Sequence, residues 1–277
     1  MLRYFANDFV HVCAWLLLLA VIFIPLERLW AVQPQKVFRR AVWTDLGYYF
    51  VNSLLLSTLL IVPLAAIAWA LHAVVPAPVL SLGSNLPFGA RLVLGIVVGE
   101  FGYYWMHRWM HEVPWLWRFH AVHHSAEHVD WLVSTRAHPV DLVLGRLSGY
   151  APMYVFGLAH PIQNVLDPVS LGVVLVGTIW GFFIHANVRW RLGPLGWLVS
   201  TPAFHHWHHT NDEHANRNFS TMLPWVDRIF GTYHMPRNQW PPSYGIDERL
   251  PDGIGEQLLY PLLPPRRLPA ETQPARD

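Results

Sequence analysis

Residues 46–90 read LGYYFVNSLLLSTLLIVPLAAIAWALHAVVPAPVLSLGSNLPFGA, 45 residues without one Asp, Glu, Lys or Arg. A helix crosses the hydrocarbon of a bilayer in about 20 residues, so a solvated globule has no use for such a run. Pro76-Ala77-Pro78 and Gly83-Ser84-Asn85 predict a turn that closes a long helix starting near Leu46. Upstream, Phe9 to Leu26 is uncharged for 18 residues, and no Ala-x-Ala-like cleavage site follows it before Glu27-Arg28. It therefore reads as an anchor, not a signal peptide. Downstream, Arg91 to Met106 is interrupted only by Glu100, and Leu147–Leu166 and Pro168–Val188 are uncharged again. The last two read either as full spans or as a shallower re-entrant pair. The expected fold is all-α: a polytopic membrane helix bundle of five crossings, or of three plus that pair.

Composition agrees. Of 277 residues 53% are hydrophobic and 13% charged, about half the charge of an average soluble domain. A net charge of +1 gives no basic field for nucleic acid. Cys13 is the sole cysteine, which excludes intrachain disulfides and Cys-based zinc or iron–sulfur sites. Fifteen Trp, 14 Phe and 10 Tyr exclude a disordered chain.

Charge placement predicts the orientation. If helices alternate, sixteen of the nineteen basic residues fall on one side, in 27–45, 107–141 and the segment after His185. The connections Pro76–Ala90 and His160–Asp167 carry none. The basic side is then cytoplasmic and the amino terminus outside. Residues 236–277, rich in Pro and Arg without periodicity, read as a cytoplasmic tail.

Three histidine groups fall on that same side: His107-Arg108-Trp109-Met110-His111, His120-Ala121-Val122-His123-His124 and His205-His206-Trp207-His208-His209. The i, i+4 spacing of His107 and His111 puts both rings on one helical face, a workable metal clamp. A surface has no need for so many neutral imidazoles, and a core would leave their nitrogens unpaired. Eight or more imidazoles exceed a four-ligand structural zinc site and suit two ions with open positions. Imidazole sites accept iron, zinc, copper or nickel, so affinity alone selects none of them. No Glu-x-x-His pair occurs at Glu100, Glu112, Glu127, Glu213 or Glu256, and Arg108 stands where a zinc protease would need its general base. A metal transporter would place its polar residues near the bilayer midplane, whereas these cluster at helix ends.

These boxes resemble those of the fatty acid hydroxylase/sterol desaturase superfamily. Glu100-Phe101-Gly102-Tyr103-Tyr104-Trp105 before the first box and Trp225-Val226-Asp227-Arg228-Ile229-Phe230-Gly231-Thr232 after the last agree with it. Leu192-Gly193-Pro194-Leu195 through Thr201-Pro202 is similar to the alkylglycerol monooxygenase-like branch. The resemblance divides the chain into N-terminal transmembrane helices (1–89), a catalytic domain (90–235) and the tail (236–277). It implies a cytoplasmic helical cap with two non-haem irons, an oxygenase that uses O2 on a lipid C–H position. The implied ligands are His107, His111, His120, His123, His124, His205, His208 and His209, with His185 as the ninth. His206 is placed behind the ligands, because adjacent residues on one helix point about 100° apart, and His138 reads either as a group facing the site or as a structural interfacial one.

Glu100 and Glu112 are candidate catalytic-site carboxylates, placed to take the second ring N–H of a ligating histidine; Asp227 is a third, with Arg228 or a helix cap as its competing partner. Trp105, Trp109, Trp115, Trp117 and Trp131 read as an interfacial aromatic belt, with a substrate-channel lining as the sharper alternative. No G-x-G-x-x-G, P-loop or C-x-x-C-H motif appears. Electrons are therefore expected from a separate donor, such as a ferredoxin or a cytochrome b5-like protein with its reductase. Zinc is expected to replace iron readily in purified protein. The branch wording favours hydroxylation over desaturation. An inactive metal-binding relative is the rival of another class, and the full histidine set argues against it.

Overall fold

The computed structural model describes residues 2–160 and 167–263. Those residues form helices α1 (Leu2–Trp30), α2 (Val42–Val74), α3 (Ala77–Leu80), α4 (Phe88–Glu112), α5 (Pro114–His124), α6 (Pro139–Val155), α7 (Pro168–His185), α8 (Pro202–His208), α9 (Trp225–Ile229) and α10 (Ile254–Leu259). They contain no strand, and one isolated bridge joins Thr210 to Tyr244. Asn7–Trp30, Val42–Val74 and Pro168–His185 are long and apolar enough to cross a membrane. The chain is an all-helical membrane protein.

The apolar runs and the helices do not coincide everywhere. Segment 91–106 is part of α4, which is not among those three helices. Leu147–Leu166 is not one continuous helix, because α6 starts at Pro139 and ends at Val155; residues 161–166 lie outside the described ones. His138 accepts the Val140 N–H at 3.1 Å, and Pro139 occupies the first helical position, where its missing N–H costs nothing. That cap fixes the start of α6 ahead of the apolar run.

Small residues bring α4 against α6. A Cβ on Gly102 would lie 2.0 Å from the Ser148 carbonyl oxygen, so only glycine allows this approach. α4 and α7 begin side by side, with Arg91 paired to Asp167 at 3.5 Å. α1 joins the bundle through Phe23, whose ring stacks on Trp131 at 6.0 Å in a core shared with Leu19, Val42 and Phe182.

Beneath these helices lies a buried charge network. Arg39 pairs with Asp45 at 2.5 Å and Asp130 at 2.6 Å, and Arg136 pairs with Asp45 at 2.5 Å. Two guanidinium groups and two carboxylates balance, which is what makes their burial tolerable. Asp130 also caps the 3-10 turn Trp131–Thr135 by accepting from the Leu132 and Val133 N–H groups.

The stretch read as a cytoplasmic tail packs against the helices where it is described. Leu250, Ile254 and Leu258 pack with Tyr48 and Val122, and the Leu258 carbonyl lies 3.1 Å from His138 Nε2. The abundance of Pro and Arg conceals these few apolar residues, whose spacing of four is interrupted by Pro251 and Gly253 before α10 begins.

Candidate metal centre

Two helix ends and two short helices carry the histidines. α4 runs unbroken to Glu112, so His107 and His111 sit one turn apart, and Pro114 then starts α5 in a new direction. α5 delivers His120, His123 and His124, and α7 ends on His185. Thr201 caps α8 by accepting the Phe204 N–H at 3.2 Å. From there His205, His208 and His209 share one face at i, i+3 and i+4.

All nine expected ligands are brought together, in two sets. His107, His111, His120, His124 and His208 form one, and His123, His185, His205 and His209 the other. The sets adjoin: the His124 and His209 rings stack at 4.6 Å and those of His205 and His208 at 5.2 Å. Neither set includes a carboxylate among the described residues. Burial, reinforced by neighbouring imidazoles, holds His111, His124, His205, His208 and His209 well below the usual histidine range. His123 is pushed down to about 4 for the same reason. Neutral imidazole is the form that binds a metal.

The ring nitrogens test whether ions fit. His107 Nδ1 donates to the Phe219 carbonyl at 2.5 Å, and His120 Nδ1 to Asp141 Oδ2 at 2.9 Å. His123 Nδ1 donates to the Arg136 carbonyl at 2.9 Å, and His185 Nδ1 to the Gly181 carbonyl at 2.7 Å. A neutral ring whose proton sits on Nδ1 has a bare lone pair on Nε2. Yet the Nε2 atoms of His107 and His120 lie 3.0 Å apart, and those of His123 and His185 3.2 Å. Such lone pairs repel unless a cation lies between them. Ligands about 2.0–2.1 Å from one ion are roughly 3 Å from each other. His111 Nε2 and His208 Nε2, both in the first set, are buried without a hydrogen-bond partner, as ligand atoms would be. The donor set fits metal.

Other expected site residues lie elsewhere. Glu112 does not serve a histidine: its i, i+4 neighbour Arg108 holds it at 2.8 Å on the exposed face of α4. Glu100 is buried, but it accepts the N–H groups of Thr221, Met222 and Leu223 at 2.6, 2.8 and 3.3 Å. Asp227 accepts the Phe219 and Ser220 N–H groups at 2.8 and 2.9 Å, and so reaches His107 only through the Phe219 peptide. His206 points away from the ligand face, with Nδ1 2.8 Å from the Tyr244 hydroxyl and Nε2 donating to the Ala186 carbonyl at 3.1 Å. Burial pushes it down to about 4. His138 caps α6 and reaches the Leu258 carbonyl, outside both sets.

Sequence reasoning overlooked Asp141, the carboxylate that holds His120. Its signal is faint: an acid in the first turn of α6, two residues after His138-Pro139. The tryptophans divide. Trp117 lies 5.2 Å from the His111 ring, Trp131 is in the core beside Phe23, and Trp109 and Trp115 are exposed.

Comparison with known proteins agrees with this geometry. Residues 92–232 match the fatty acid hydroxylase family, and they contain every histidine of both sets. The chain belongs to the fatty acid hydroxylase family. Relatives of this chain include the ornithine lipid hydroxylase OlsE of Rhizobium tropici, 36% identical over 68% of this chain and 57% of the relative. Human alkylglycerol monooxygenase is 32% identical over 48% of this chain and 28% of its own length. A very-long-chain aldehyde decarbonylase of rice, GL1-6 (Oryza sativa subsp. indica), is 32% identical over 48% of this chain and 21% of its own. The matches thus cover 57% or less of these relatives. No solved structure matches this chain at a significant level.

Proposed function

We propose that this chain is a membrane-bound non-haem diiron oxygenase that hydroxylates a C–H position of an amphipathic lipid, with O2 as co-substrate. The observation that carries the reading is the pair of bare Nε2–Nε2 approaches, 3.0 Å in one histidine set and 3.2 Å in the other. His107, His111, His120, His124 and His208 would hold one ion, and His123, His185, His205 and His209 the second. Bound iron supplies the capacity to reduce O2 and oxidise an unactivated carbon. The chain's own share is preorganisation. Backbone carbonyls of Phe219, Arg136, Gly181 and Arg217, with Asp141, fix the ring orientations and tautomers. Burial of every ligand but the half-buried His111 keeps bulk water from the centre.

Relatives named for an ornithine lipid and for alkylglycerols point to a substrate whose tail lies in the bilayer. Electrons come from a separate donor of ferredoxin or cytochrome b5 type. The basic bias of the connections supports a cytoplasmic metal centre and carboxyl terminus. The test is anaerobic purification with metal analysis, followed by O2 uptake and mass spectrometry of lipids on adding reductant. Two irons per chain and a lipid with one added oxygen atom are expected; zinc is the expected replacement in iron-poor cells. A single four-coordinate ion would sink the two-metal reading. Reductant-driven O2 uptake without an oxygenated lipid would sink the hydroxylation.

A further inference from the structure

Five consecutive backbone N–H groups, Phe219 to Leu223, all end on two buried carboxylates. Asp227 takes the first two at 2.8 and 2.9 Å, and Glu100 the next three at 2.6, 2.8 and 3.3 Å. An irregular loop in water needs no such provision, because water satisfies its amides. At membrane depth there is no water, and irregular backbone is tolerated only where protein groups pair it.

The loop's depth follows from α4. This helix starts beside α7, at the Arg91–Asp167 pair, and both helices end at the histidines. α7 is a candidate membrane span, so α4 from Arg91 to His107 traverses the same slab. Glu100 precedes His107 by seven residues, about 10 Å of helix rise into that slab. The loop it holds therefore lies below the metals, on the hydrocarbon side. Ser200 donates its N–H to the Met222 carbonyl at 2.8 Å, and Arg228 reaches the Trp197 carbonyl at 3.2 Å, so 193–200 and 219–230 form one body at this level.

The outward face of that body is apolar. Leu195, Trp197, Leu198 and Ile229 are 51%, 64%, 62% and 59% exposed. Residues 192–200 carry no charge. Arg228 lays its guanidinium over the Trp197 ring at 3.9 Å and the Tyr233 ring at 4.0 Å, apolar stem and cation sharing one aromatic bed. Trp105, on α4, meets Phe230 at 5.0 Å and extends the patch toward Trp109.

We propose that residues 193–198 and 225–230 form a lip immersed in the lipid leaflet on the metal side of the bilayer, at the boundary of headgroups and acyl chains. The occupant of this apolar face is the bilayer itself, continuous through Trp105 with the slab-crossing helix α4. The lip makes the segments around the third histidine box part of the membrane contact, although they belong to no spanning helix.

Spin labels on single cysteines test this in nanodiscs. In a Cys13→Ser background, cysteines replace Leu195, Trp197 and Ile229 in turn. Leu175, exposed on α7, is the immersed control, and Arg249, exposed beyond the third box, the aqueous one. Molecular oxygen concentrates in acyl chains and a nickel chelate in water. The oxygen-to-nickel accessibility ratio at the three lip sites should exceed that of Arg249 several-fold and lie below that of Leu175, which sits deeper in the slab. Ratios equal to that of Arg249 at the lip overturn the proposal, as does an aqueous ratio at Leu175, which would remove the slab. Leu198, on the same face, substitutes for any site whose label prevents monodisperse elution.

Discussion

Asp141 Oδ2 lies 2.9 Å from His120 Nδ1, and both groups are buried. The carboxylate fixes the imidazole proton on Nδ1, aims Nε2 at the first histidine set and raises the basicity of that ligand atom. Removing such a partner typically costs about 10–100-fold in metal affinity or activity. Asp141→Ala should lose affinity within that range. Asp141→Asn should lose less, because its amide oxygen still accepts the N–H. Competition with a graded chelator reads both; affinity unchanged in Asp141→Ala would show that His120 is held by packing alone.

The histidines outside the two sets should separate cleanly from those inside. His123→Ala should abolish turnover and lower metal content while the protein still inserts in the membrane, since α5 is no spanning helix. His138→Ala should keep its metal and lose only about 1 kcal/mol of stability with the cap of α6. Metal analysis and thermal unfolding of the two variants check the contrast.

Asp45 pairs with both Arg39 and Arg136 at 2.5 Å, with its own side chain fully buried. Asp45→Asn keeps the shape and removes the charge, which leaves two guanidinium groups with one carboxylate, Asp130. Breaking a buried pair in this way costs about 3–5 kcal/mol. A large fall in Tm is expected, together with loosening at His123, whose ring proton rests on the Arg136 carbonyl. A Tm within a degree or two of the parent would mean that water reaches the network.

Orientation is open to a direct measurement. Reporter fusions at Asp277 and within the Pro76–Ala90 connection should give opposite readouts, with Asp277 cytoplasmic. Matching readouts would place the basic connections on both faces and break the topology.

Spacing made the ligands legible. His107 and His111, or His205, His208 and His209, lie within one helical turn of each other, so periodicity alone puts them on a common face. The spans α1, α2 and α7 were legible for a similar reason, as unbroken apolar runs of sufficient length. The partners were not. Asp141 meets His120 across 21 positions, Arg39 meets Asp130 across 91, and Glu100 meets Thr221 across 121. No local period encodes such distances. Glu112 misled because a carboxylate one residue from a ligand resembles a partner for it, whereas the helix delivers it to Arg108.

Four of the ring protons in this centre rest on main-chain carbonyls, those of Phe219, Arg136, Gly181 and Arg217. A carbonyl has no codon. Point mutation at Phe219, Arg136 or Arg217 changes a side chain without deleting the acceptor, provided the local backbone keeps its path, and Gly181 has no side chain to lose. Mutational exposure of the centre is thus confined to the ligands, Asp141 and the few residues that hold the loops. A centre anchored this way keeps its ring orientations through changes in the side chains around it.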